Sequence, residues 1–200
     1  MKAVPFLIVL VCCSWSACGQ VLELGMFAGA SKLQNEVIGS DTISSGAPVG
    51  ANIKLTDGFK FGFRFGFNPY RFLGAEFGYA YNRTQLHLDG PPVSEQGMAV
   101  HQGFGDALFH FTPEGSRVRP FVAGGIQFSN FVPPGASVAS GGGDTKFGVN
   151  YGAGVKVKVT ENWQIRLDIR QFESGKPFKL ANQSGVLLQN EISVGVAFTL

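Results

Sequence analysis

Residues 59–67 read Phe59-Lys60-Phe61-Gly62-Phe63-Arg64-Phe65-Gly66-Phe67. Strict alternation at period two specifies a β-strand, because successive side chains point to opposite faces. One face carries five phenylalanines; the other carries Lys60, Gly62, Arg64 and Gly66. Such a strand either packs its rings into a soluble core or presents them to lipid and keeps its charges inside a barrel. The remainder of the sequence favours lipid.

The 200 residues suit one domain. Charged residues make up 15%, against about 25% in a typical soluble protein. Phe (19) and Gly (28) are abundant. The net charge of +2 and the lack of a basic cluster argue against nucleic acid as a partner. Beyond the N-terminus no apolar run reaches the ~18–20 residues of a spanning helix. A membrane reading therefore requires strands, closed into a barrel so that every backbone polar group is satisfied.

The N-terminus reads as a secretory signal peptide over residues 1–19. Lys2 is its positive end, residues 4–11 its apolar region, and Ala17-Cys18-Gly19 its small-residue cleavage site. Cleavage before Gln20 would remove Cys12, Cys13 and Cys18, which are all the cysteines. The mature chain, 20–200, would then have no thiol chemistry. Lipidation of Cys18 is the alternative, although Trp15 stands where such a signal usually carries Leu.

The mature chain reads as strands throughout: 21–31, 58–68, 71–87, 97–111, 118–131, 146–160, 163–172 and 187–200. Eight is the smallest even number usual for an outer-membrane barrel. Residues 49–55 are expected to extend the second strand outward past a bend at Asp57-Gly58. Connections at 68–69, 112–116 and 161–162 are short. Those at 32–48, 88–96, 132–145 and 173–186 are longer and rich in Gly, Ser, Pro, Asn and Asp, with 137–143 flexible by composition. This asymmetry predicts tight periplasmic turns and longer extracellular loops.

Most strands present one apolar face long enough for the ~9–11 tilted residues that cross a bilayer. The opposite face is rich in glycine, with charges placed singly, which suits a narrow barrel interior better than a water-exposed exterior. Two strands are mixed. Asp106 inside leaves Gly103 and Gly105 on the lipid side, and Phe121 is turned inward. Tyr70, Phe72, Tyr81, Trp163 and Phe172 near strand ends are candidates for interfacial girdles.

Residues 58–68 and 71–79, together with Asn150-Tyr-Gly-Ala-Gly-Val-Lys and Glu161-Asn-Trp-Gln-Ile-Arg-Leu-Asp-Ile-Arg, resemble the small bacterial outer-membrane β-barrel family, whose members include the OmpA transmembrane domain and OmpX. The resemblance covers nearly all of the mature chain. It implies an all-β, eight-stranded antiparallel up-and-down transmembrane barrel in the outer membrane, porin-like and monomeric, with outer-membrane lipid around it. Residues 193–200 resemble the signal read by the barrel assembly machinery: polar Ser193, then Gly195, aromatic Phe198 and terminal Leu200, where Phe is usual. A plain amphipathic edge strand is the other reading of that segment. No peptidoglycan-binding domain follows the barrel, so cell-wall anchoring is not expected.

The predicted lumen carries Lys60, Arg64, Lys156, Lys158, Arg166 and Arg170 against Glu23, Glu76, Asp106, Asp168 and Glu191. Isolated buried charges are costly and paired ones tolerable, so a crosslinked polar plug is expected. Arg64–Glu76 is a candidate pair across the short 68–69 turn; a narrow gated ion path is the functional alternative. No catalytic residue is assigned. Only His87 and His101 can lie near the outer rim, with His110 near the periplasmic end, and the sequence shows no carboxylate cluster with histidine. No metal or cofactor site is expected, because dispersed histidines give no ligand spacing. Asn82-Arg-Thr matches a glycosylation acceptor only formally, near a strand end.

The expected function is non-enzymatic: envelope integrity, contact between the long loops and an extracellular partner, or limited permeability. A secreted soluble barrel binding an apolar ligand among inward phenylalanines is one alternative. A lipid A-modifying barrel enzyme is the other.

Overall fold

A computed structural model describes residues 22–34, 36–40, 52–89, 94–136 and 142–200. The expected signal peptide, its cysteines and residues 49–51 lie outside them. Ten strands run in chain order: β1 (Leu22–Gln34), β2 (Val37–Ser40), β3 (Asn52–Leu55), β4 (Gly58–Phe67), β5 (Leu73–Leu88), β6 (Ser94–His110), β7 (Val118–Val132), β8 (Asp144–Lys158), β9 (Trp163–Gly175) and β10 (Val186–Thr199).

Eight of these close an antiparallel barrel in the cyclic order β1-β4-β5-β6-β7-β8-β9-β10, and β10 returns to β1 from Glu23↔Thr199 to Gln34↔Leu188. No helix occurs among the described residues. The fold is the eight-stranded barrel expected. Several strands run farther outward than their sequence pattern suggested. β1 reaches Gln34, β9 reaches Gly175, and β5 and β6 shorten the expected 88–96 loop to 89–93. Polar side chains beyond the bilayer break the apolar alternation, but backbone pairing continues without it.

β3 continues the ladder on β5 where β4 leaves it. Leu55 faces Leu86, and Phe59 faces Arg83. Between them the chain bends at residues 56–57, where Asp57 accepts from the Leu33 backbone N–H at 2.9 Å. The expected extension of the second strand is therefore present over 52–55. β2 was not anticipated; it lies within the expected 32–48 loop and pairs with β3.

The strand over 59–67 faces as its alternation requires. Phe59, Phe61, Phe63, Phe65 and Phe67 are 43–59% exposed on the outer surface, while Lys60 and Arg64 are 0% and 5% exposed inside. That orientation overturns the soluble-barrel alternative. Neighbouring strands continue the apolar surface: Phe63 meets Tyr79 at 5.6 Å between ring centroids, and Phe61 meets Tyr81 at 5.4 Å. The weak stretch at Gly103 and Gly105 is covered sideways, since the Phe128 and Phe77 rings lie over the places their side chains would occupy.

Four other phenylalanines turn inward among the lumen charges, Phe27, Phe104, Phe121 and Phe172, and Phe131 turns inward at the outer mouth. Phe172 is a correction. Expected in an interfacial girdle, it is 2% exposed, because its even position on β9 follows Asp168 and Arg170 into the lumen. Trp163 and Tyr70 are exposed near the periplasmic turns, as a girdle requires. Asn82, placed near a strand end by the sequence reading, sits inside β5 and donates to Ser31 Oγ at 2.9 Å.

Phe63→Arg places a charge on the lipid face near the middle of β4. It should destabilise the barrel by about 2–4 kcal/mol, read from urea unfolding of protein refolded into lipid vesicles.

Candidate functional site

The interior is a network of buried charges spread over seven strands. β9 contributes the largest share, because Arg166, Asp168 and Arg170 alternate inward beside Gln164. Arg166 grips Asp168 with two bonds of 2.8 Å, Nε to Oδ2 and Nη2 to Oδ1. It also donates to both Glu76 oxygens on the far wall. Arg170 donates Nη2 to Glu76 Oε1 at 2.7 Å and pairs Nη1 with Asp106. Asp106 accepts a further bond from Asn150 at 2.7 Å. Arg64 reaches from β4 to Asp168 at 2.8 Å.

Toward the outer end, Lys60 pairs with Glu191 and donates to Gln102 Oε1 at 2.6 Å; Gln102 continues the chain to Gln127 at 3.1 Å. Toward the periplasmic end, Lys156 pairs with Glu23 at 2.5 Å, and Asn68 donates to the other Glu23 oxygen at 2.9 Å. Five cations (Lys60, Arg64, Lys156, Arg166, Arg170) thus meet five carboxylates (Glu23, Glu76, Asp106, Asp168, Glu191). A neutral balance with many hydrogen bonds per charge is what a poorly hydrated interior demands.

The inward phenylalanines belong to this network. The Arg64 guanidinium carbon lies 3.7 Å from the Phe27 ring centroid, Arg166 lies 4.5 Å from Phe121, and the Lys60 ammonium lies 4.0 Å from Phe172. The ring faces supply partial negative charge to these buried cations. The rings fit because glycines stand beside them in register, Gly62 next to Phe27 and Gly154 next to Phe121. A Cβ on Gly154 would come within 2.6 Å of the Phe121 ring.

Ten of the eleven predicted lumen charges come together. Lys158 does not: it is half-buried at the periplasmic end and has no ion pair among the described residues. Two residues beyond Lys156, it has reached the end of β8, where the wall no longer encloses it. Arg64 and Glu76 do approach, at 3.8 Å, but their closer partners are Asp168 and Arg166. Sequence reasoning could pair adjacent strands, but not residues facing each other across the lumen. It also missed Arg119, 5% exposed and paired with Glu114 at 2.9 Å.

The histidines separate widely. His101 faces outward, bonded through Nδ1 to the Tyr79 hydroxyl and edge-on to Tyr81 at 5.3 Å. His110 is sealed against Phe121. His87 corrects the expectation of no carboxylate cluster. Asp89 lies 3.2 Å from Nε2 and Glu95 lies 3.3 Å from Nδ1, because the β5–β6 register sets Glu95 opposite His87. Among the described residues no group of His, Cys, Asp and Glu could hold a metal.

Above the charges, the outer mouth is filled by an apolar cluster. Leu33, Leu55, Met98, Val100, Phe131 and Leu187 point in from the walls, and Ile38 of β2 enters from above at 0% exposure. Phe178 and Leu180 from the β9–β10 connection pack against it. Backbone-directed bonds hold this cap: Gln183 to Ile38 O at 2.9 Å, Lys176 to Val37 O at 2.7 Å, and Ser40 N–H to Ala181 O at 2.9 Å. The expected 173–186 loop is therefore partly a lid. Its turn holds Phe178, Lys179 and Asn182 at positive φ, a conformation a sequence pattern does not announce.

Of the expected assembly-signal residues, Ser193 and Gly195 face inward, Ser193 accepting from Arg64 at 3.3 Å. Phe198 and Leu200 face outward, with Phe198 edge-on to Trp163 at 5.2 Å. β10 is paired on both sides, so in the closed barrel it is not an edge strand.

Glu76→Gln should leave Arg166 and Arg170 short of counter-charge and cost about 3–5 kcal/mol in vesicle unfolding. Replacing both members of the Lys60–Glu191 pair, Lys60→Met with Glu191→Leu, should lie nearer the wild type than either single change.

Residues 24–199 match the model of the outer membrane protein beta-barrel domain. No curated protein matches the sequence. Among solved structures, OprG from Pseudomonas aeruginosa is similar with a TM-score of 0.65 at 10% identity, over 91% of this chain and 97% of that one. Neisserial surface protein A is similar with a TM-score of 0.59 at 16% identity, over 90% and 97%. The N-terminal barrel domain of Pseudomonas aeruginosa OprF is similar with a TM-score of 0.53 at 16% identity, over 92% and 100%. At such identities the likeness is one of fold. With its closed eight-stranded ladder, lipid-facing aromatic surface and charged interior, and with the family model matching nearly its whole length, this chain belongs to the outer membrane protein beta-barrel domain family.

Proposed function

We propose that this protein is a non-enzymatic, non-conducting outer-membrane barrel that acts in envelope integrity and through its extracellular surface. The observation that carries this reading is the double closure of the lumen. Three arginines bridge opposite walls through Glu76, Asp106 and Asp168. Above them, Ile38 and Phe178 help seal the outer mouth with apolar contacts. An ion crossing would have to displace both layers.

The histidines support the non-enzymatic reading. His101 is engaged with tyrosines on the membrane-facing wall, and His110 is sealed. His87 is held between two carboxylates, Asp89 and Glu95. Export by a signal peptide cleaved before Gln20, recognition of the β10 end by the assembly machinery, and a monomeric state belong to the same proposal. The closed ladder supports the last, since it leaves the wall no free edge to pair.

Reconstituted protein should show no conductance steps above a protein-free planar bilayer. Stable steps that disappear on reversing a lumen charge would reject the closed reading. Cell fractionation should place the mature chain in the outer membrane with heat-modifiable gel mobility, and its N-terminal sequence should begin at Gln20.

A further inference from the structure

At the periplasmic end the lumen finishes in a cavity of about 20 Å³, walled by the β6–β7 turn at Glu114–Ser116 and by the ends of β1, β8, β9 and β10. Its lining carries three cations, Arg119, Lys156 and Lys158, and two carboxylates, Glu23 and Glu114. Glu23 is taken by Lys156 at 2.5 Å, and Glu114 meets one nitrogen of Arg119 at 2.9 Å. One positive charge is left over.

Arg119 shows where the deficit lies. Its side chain is only 6% exposed, yet Nε and Nη2 have no hydrogen-bond partner among the described residues. A buried guanidinium with two empty donors is costly unless an acceptor completes its fork. Its existing counter-charge is also weakened, because burial pushes the Glu114 carboxyl above the ordinary range even beside Arg119. Lys158, half-buried in the same lining, has no ion pair among the described residues.

We propose that this cavity binds one small monovalent inorganic anion of halide size, held by Nε and Nη2 of Arg119 with Lys158 at the mouth. The volume suits a single atom-sized guest, since one water needs roughly 10–15 Å³ on the same measure. A free phosphate or carboxylate is too large to enter whole. Water could satisfy the donors but would leave the surplus charge in place; a monovalent anion does both. The bound anion pins the turn and Arg119 to the ends of β8 and β9, and makes the stability of the periplasmic mouth depend on halide.

The test uses the full mature protein in detergent, crystallised with bromide replacing chloride. Anomalous density within hydrogen-bond reach of Arg119 Nε and Nη2 is the expected result. In parallel, thermal loss of the heat-modifiable form is followed as chloride replaces gluconate at constant ionic strength. The wild type should gain stability saturably with chloride. Arg119→Gln should weaken that dependence by roughly tenfold or more, as expected for a lost charge-assisted bond. If Arg119→Gln does not fold, Lys158→Gln, altered at a half-exposed position, should still weaken it. A bridging water with no anomalous signal overturns the proposal. So do identical melting curves in chloride and gluconate, and so does bromide density without any solution dependence, which would mean an adventitious ion only.

Discussion

In a bilayer, every backbone N–H and C=O must find a partner within the protein, because lipid offers none. This chain meets that demand by pairing its last strand with its first, Leu24 opposite Phe198 and Ala30 opposite Ile192. Once the ladder is closed, period-two geometry assigns each spanning residue to lipid or to lumen. Lys60 and Phe61 are adjacent in sequence, and one is fully buried while the other is half exposed. The lipid-facing phenylalanines and the buried charges are thus two consequences of one closure.

The lumen of so narrow a barrel has room for side chains and little else. Its glycines are a packing device. They leave space on the wall where an aromatic ring from the neighbouring strand lies flat, as Gly78 does for Phe104 and Gly154 for Phe121. The rings then form faces for the guanidinium groups, whose other sides meet carboxylates. Arginine suits this better than lysine, since its planar cation is weakly hydrated and has five donors to share. Arg166 uses them on two carboxylates at once.

The closures at the two ends differ in chemistry. The outer mouth is filled with apolar side chains and holds its lid by hydrogen bonds to the backbone of Val37, Ile38 and Ser40. The middle excludes water by consuming every charge in pairs. At the periplasmic end Arg119 keeps one carboxylate partner, Glu114, and leaves Nε and Nη2 without a hydrogen bond among the described residues. Opening the outer lid would expose apolar surface but break no ion pair of the plug, so the two barriers are energetically separable.

The sequence alone determined the strand pattern, the barrel, the sidedness of most residues and the identity of ten network charges, because alternation and composition are local and the bilayer imposes one hydrophobic threshold everywhere. It also marked Phe121 as inward on a wall where apolar side chains do not report sidedness. Tertiary structure decided what depends on distance across the lumen or on irregular backbone. Glu76 finds Arg166, and not Arg64, as its near partner because opposite walls face each other in a closed cylinder. Phe172 goes inside and Lys158 drops out according to where each wall ends. The cap of Ile38 and Phe178 arises from a short strand and left-handed turn residues, for which no period in the sequence gives warning.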